Sequence, residues 1–83
     1  MSASTVKWTR YQFDGMPAWT LTLDDGMQVM VRSIGRAVWV WEIGPNVTAS
    51  WNRHAWHHGS AAGSKQAKTD VLTKISQLGR TVA

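Results

Sequence analysis

Six tryptophans, at positions 8, 19, 39, 41, 51 and 56 of 83 residues, set the terms on which this chain can fold. A chain of this length encloses one core, and such cores rarely supply more than ~3–5 kcal/mol net. Small domains often close that gap with disulfides or a thiolate zinc site, but the chain has no cysteine. Each buried indole removes roughly 150–250 Å² from water, about 4–6 kcal/mol gross at ~25 cal/mol per Å². The six rings are spread along the chain, so several elements can bring them to one core. Trp19, Trp39 and Trp41 are the expected core members. Trp51 and Trp56, beside Arg53 and the histidines, are the indoles left for a recognition surface.

The pattern of the first two thirds has a strand period. Trp8 to Phe13 leads into Asp14-Gly15, a two-residue hairpin signal. Trp19-Thr20-Leu21-Thr22-Leu23 alternates apolar and polar, with Trp19, Leu21 and Leu23 inward. Asp24-Asp25-Gly26 turns the chain. Met27 to Ser33 follows, with Val29 and Val31 on one face and Met30 and Arg32 on the other. Ile34-Gly35-Arg36 reads as the next turn, and Ala37 to Ile43 as the most β-prone stretch. After Gly44-Pro45-Asn46, Val47 to Trp51 is expected to form a last short strand.

Residues 52–63 are expected to be a loop, and a helix is expected over about 64–78. Ser64 is the favoured N-cap and Ser60 the second candidate. Gly79 ends the helix in the left-handed conformation. Ala67, Val71, Ile75 and Leu78 form its apolar stripe, bordered by the stems of Lys68 and Lys74. Short connections favour a meander. The expected architecture is a single α+β domain over residues 1–83, with four or five antiparallel strands and one C-terminal helix on one sheet face.

This layout raises a functional question. Around Trp39 the chain is apolar on both sides: Trp39, Trp41 and Ile43 on one, Val38 and Val40 on the other. One helix covers one face, and the tryptophan side is the larger. Met30, Val38 and Val40 then need another cover, from the chain's own N-terminal segment, a second copy or a partner. With Trp51, Arg53 and Trp56 they form the expected partner-binding set.

Chemistry-bearing constellations are thin. His54, His57 and His58 would need a shared helical face and a third ligand to hold a metal, so no metal or other cofactor is expected. Asp24 and Asp25 sit where turns place aspartate. Residues 59–65, Gly-Ser-Ala-Ala-Gly-Ser-Lys, lack phosphate-loop spacing, and no serine lies in a Gly-x-Ser-x-Gly elbow. Catalysis and a small-molecule substrate are therefore not expected. The formal charge of +4 and the neighbours Lys7-Trp8, Arg10-Tyr11 and Trp51-Asn52-Arg53 fit an anionic partner. Arg10, Arg32, Arg36 and Arg53 are the nucleic-acid set on that alternative.

The run from Trp39 to Ile43, then Gly44-Pro45-Asn46 and Val47 to Trp51, then Ser64-Lys65-Gln66-Ala67-Lys68, resembles a known layout. It is similar to small phage and prophage proteins built as a β-meander followed by one helix, over about the last forty-five residues. Host-takeover proteins and defence inhibitors, anti-CRISPR proteins among them, belong to that class. The resemblance implies a non-catalytic interaction protein acting on a macromolecular partner in the bacterial cytoplasm. The same layout is similar to the three-strands-plus-helix DNA-binding domains of phage integrase arms and ethylene-response factors. Those place a row of arginines on the strands, where this chain has Glu42 and valines. No signal-like apolar leader and no apolar run near the ~18 residues of a membrane span are present, so a cytoplasmic chain is expected.

Overall fold

The computed structural model describes residues 6–49 and 53–83. Five strands and a helix follow in chain order: β1 (Thr9–Phe13), β2 (Met16–Thr22), β3 (Gln28–Gly35), β4 (Val38–Gly44), β5 (His57–Ala61) and α1 (Ser64–Gln77). The sheet has the order β1-β2-β3-β4-β5, with every neighbouring pair antiparallel. The chain is thus an α+β meander with one C-terminal helix.

Local chemistry accounts for the turns. Asp14 and Gly15 both take positive φ (52° and 75°), the pairing of a tight hairpin whose twist matches its strands. It fixes Phe13 opposite Met16 and so sets the register of β1. At the next turn the Asp25 carboxylate accepts a bond from the Met27 amide at 3.1 Å, and Asp24 accepts one from the Thr81 hydroxyl at 2.8 Å. The C-terminal tail returns here as well. Leu23 bridges Val82, and Arg80 pairs with Asp25. The two aspartates therefore hold a turn and tie down the tail.

The third hairpin turns one residue later than its sequence suggests. Arg36 and Ala37 are its central residues, at φ 52° and 61°, after a bulge between Ser33 and Gly35. A left-handed alanine costs about 1–2 kcal/mol, part of which glycine recovers. We expect Ala37→Gly to stabilise the fold by about 0.5–1 kcal/mol. An unchanged or lower midpoint in urea denaturation would reject that account.

The helix side of the sheet carries the larger core: Leu21, Leu23, Met27, Val29, Val31 and Ile43, packed under Ala67, Val71 and Ile75. Trp8, Trp19, Trp39 and Trp41 pack against this core but stay half-buried. The indoles thus roof the core's margin instead of filling its centre. Trp41 lies directly against Gly59, whose missing Cβ would fall 2.5 Å from the indole Cζ2. This explains a departure from expectation. Residues 57–61 form β5 rather than a loop, because pairing with β4 and the Trp41–Gly59 contact outweigh the weak strand preference of His-His-Gly-Ser-Ala.

Residues 47–49 are turn and irregular backbone, not the strand expected there; residues 50 and 51 lie outside the described segments. Nor do the expected caps form. The N-cap is Gly63, without a side-chain bond, while Ser64 is the first helical residue and Ser60 lies in β5. The helix C-terminus is as expected. Gly79 takes φ 72°, with Gly79 N–H bonding Ser76 and Arg80 N–H bonding Ile75, a Schellman closure.

Candidate functional site

Alternation from the Phe13–Met16 register places Phe13, Ala18, Met30, Arg32, Val40, Glu42, His58 and Ser60 on the sheet face away from α1. Part of this face is covered by a segment outside the three expected covers. It is the internal β4–β5 connection, residues 45–56, whose described parts fold back over one end of the sheet. Val47 and Ala55 close a second small core with Phe13, Ala18 and Met30. Met30 is fully buried and is therefore no contact for a partner. The return is possible because Gly44 has no side chain. A Cβ there would collide with the His54 carbonyl and lie 3.0 Å from the Ala55 Cα.

One polar cluster anchors the connection. Glu42, only 8% exposed, accepts from Arg32 Nε at 3.1 Å and from Arg53 Nη2 through the same oxygen. Arg53 Nε also donates to the Val47 carbonyl at 3.0 Å. Both guanidinium groups lie on the Phe13 ring, 5.2 Å and 4.7 Å from its centroid. Phe13 thus supplies an electron-rich face to two cations that share one carboxylate. Tyr11, from the same edge strand, donates its hydroxyl to the Thr48 carbonyl at 3.1 Å.

The connection covers only part of the face. Towards the Arg36-Ala37 turn, Val38 is 37% exposed and Ile34, in the β3 bulge, 52%. Val40 is half-buried and lines a shallow depression of about 360 Å³ with Arg32, Glu42, His58, Gly59 and Ser60. At the other end of β4, Trp56 is 53% exposed and meets His54 edge-on, ring centroids 6.3 Å apart.

The expected partner set is therefore split. Val38 and Val40 remain accessible together. Arg53 is held by Glu42, Trp51 lies outside the described residues, and Trp56 stands about 20 Å of strand away from Val38. The expected arginine set is split too. Arg32 and Arg53 converge on Glu42, Arg36 sits exposed at a hairpin tip, and Arg10 lies on the helix side against Trp19. Sequence reasoning missed Phe13 and Glu42 as the centre of the cluster, although counting register from Asp14-Gly15 aligns both with Arg32. It also missed Ile34, which the bulge exposes.

His57 and His58 are successive strand residues and point to opposite faces. Among the described residues no three acidic or histidine side chains stand close enough to share a metal. No helix there is long and apolar enough to cross a membrane. On the helix side, Lys68 places its ammonium 3.8 Å from the Trp19 ring centroid and 5.5 Å from that of Trp8. Burial against these rings lowers the Lys68 pKa from its ordinary value, because it penalises the charged form. Comparison with known protein families, curated proteins and solved structures finds no match to this chain.

Proposed function

We propose that this protein is a non-catalytic binding module that docks on a protein partner through the aliphatic end of its second sheet face. The observation that carries the reading is the exposure of Ile34 and Val38 beside Val40, where the chain's own cover stops. A small domain has few aliphatic side chains to spare, and leaving Ile34 and Val38 in water beside half-buried Val40 favours burial against another surface. Arg36 and Arg32 border this patch, so the complementary partner surface is apolar with an acidic rim. The layout's resemblance to small phage proteins adds a setting: a host-directed interaction protein acting in the bacterial cytoplasm, with inhibition of the bound host system as its effect.

The test uses the full chain with Ile34→Glu and Val38→Glu, both at exposed positions where a carboxylate stays hydrated. Wild type is expected to retain a stoichiometric protein from a lysate of its own cells. The double variant, still folded by circular dichroism, is expected to lose it by at least about tenfold, since two carboxylates would be buried unpaired. The reading fails if wild type is a monomer that retains no protein, or if the variant retains the same one equally well.

A further inference from the structure

The helix side of the sheet carries a different distribution of charge. Arg32, Arg53 and Arg80 are paired with Glu42 and Asp25, and Asp70 accepts from Gln66. Arg10 and Lys68 have no carboxylate within ion-pair distance among the described residues. Yet both converge on one ring, Lys68 Nζ at 3.8 Å and Arg10 Cζ at 5.4 Å from the Trp19 centroid. Helix α1 packs over β3, β4 and β5, so β1 and β2 meet only its flank. Helical periodicity puts Lys65 and Leu72 on the Lys68 flank, and Asp70 and Lys74 on the opposite one. Trp8 is half-buried on the same side. At the rim, a depression of about 420 Å³ runs along Arg10, Tyr11, Gln12 and Pro17.

We propose that this margin of the sheet, where the Lys68 flank of α1 meets the Trp19 and Arg10 side of β2 and edge strand β1, binds single-stranded nucleic acid. Arg10 and Lys68, with Lys65 on the same helix flank, are placed to follow a phosphate backbone without a carboxylate to repel it. Trp19 is already engaged by the Lys68 ammonium and holds that cation in place. Trp8, whose nearest cation is farther off, is the ring presented to a base. Indole and phosphate-binding cation on one open sheet margin are the two components a single strand requires. An acidic peptide would satisfy the charges and leave the indole without a stacking partner. The site is separate from the aliphatic patch, which lies on the opposite face.

The experiment titrates the full chain into a short labelled oligothymidine and follows both anisotropy and tryptophan fluorescence. Binding with quenching is expected at low salt. Three phosphate contacts predict an affinity that falls about 20-fold between about 50 and 200 mM salt. Arg10→Gln with Lys68→Gln should weaken binding at least about tenfold, whereas Lys68→Arg should largely keep it. Lys74→Gln, which removes one charge from the other helix flank, should change it less than about twofold. Circular dichroism establishes that each variant is folded, and Ile34→Glu with Val38→Glu should leave oligonucleotide binding intact. The proposal is overturned by absence of quenching at low salt, by duplex DNA or polyglutamate binding as tightly as oligothymidine, or by an equal loss from Lys74→Gln and the double variant.

Discussion

Replacing Glu42 with alanine is expected to cost about 3–5 kcal/mol, a large share of what an 83-residue domain has to lose. The reasoning is asymmetric. The intact cluster brings one carboxylate and two guanidinium groups partly out of water, so its net contribution is modest. Removing the carboxylate leaves Arg32 and Arg53 on the same Phe13 ring with nothing between them, each 23% exposed at the side chain. Two uncompensated cations then repel, and the cheapest relief is for Arg53 to swing out. That swing also breaks its bond to the Val47 carbonyl. The damage should therefore appear in the β4–β5 connection before the helix side. Urea denaturation measures the loss, and amide exchange at Val47 and Ala55 locates it. A second construction separates charge from packing. Glu42, Arg32 and Arg53 changed together to methionine should recover most of the loss, because an apolar replacement leaves no charge unpaired. A loss below about 1 kcal/mol for Glu42→Ala would mean that the arginines are adequately hydrated without it.

What was legible in the sequence follows the range of the interactions involved. β1 to β4 were readable because turn residues and apolar alternation act within a few positions, as at Asp14-Gly15 and Trp19 to Leu23. The helix was readable from Ala67, Val71 and Ile75, and its end from Gly79. β5 was not. Its His-His-Gly-Ser-Ala resembles a loop, and what makes it a strand is the β4 edge and the Trp41 indole resting on Gly59. The candidate site was legible in part. Two-sided apolar character at Val38 and Val40 pointed to a second apolar face, and the structure has one, with its own small core at Phe13, Ala18, Met30 and Val47. What that character does not encode is that Val47 and Ala55, from the described parts of the β4–β5 connection, cover part of that face from within the chain. The arginines show the same boundary. Their number is a property of composition, but that Arg32 and Arg53 meet on Glu42 while Arg10 reaches Trp19 depends on register and on a long return of the backbone.

Gly44→Ala is expected to be the other severe substitution, and it acts on the same return from the backbone side. Gly44 ends β4 with its Cα buried directly beneath the His54 carbonyl and the Ala55 backbone. The obstruction is main chain, so no rotamer change can make room. Either β4 bends away, which breaks its pairing with Gln28, or the connection lifts. Lifting is the cheaper course, and it uncovers Met30, Phe13 and Val47. Overpacking alone costs about 1–3 kcal/mol, and loss of this small core should bring the total to about 3 kcal/mol or more. The helix-side core, which shares none of these residues, should persist, so local opening is expected to exceed global unfolding. Accelerated exchange at Val47 and Ala55, with Val29, Val31 and Ile43 still protected, is the expected pattern. The two substitutions should also fail to add. Once Gly44→Ala has lifted the connection, Arg53 is already away from Glu42, and removing Glu42 can no longer strand it there. A double-mutant cycle should therefore give a coupling of about 1–2 kcal/mol in the sense that the pair costs less than its parts. Strict additivity would show that the Glu42 cluster and the backbone return are separate devices, and that Arg53 does not link them.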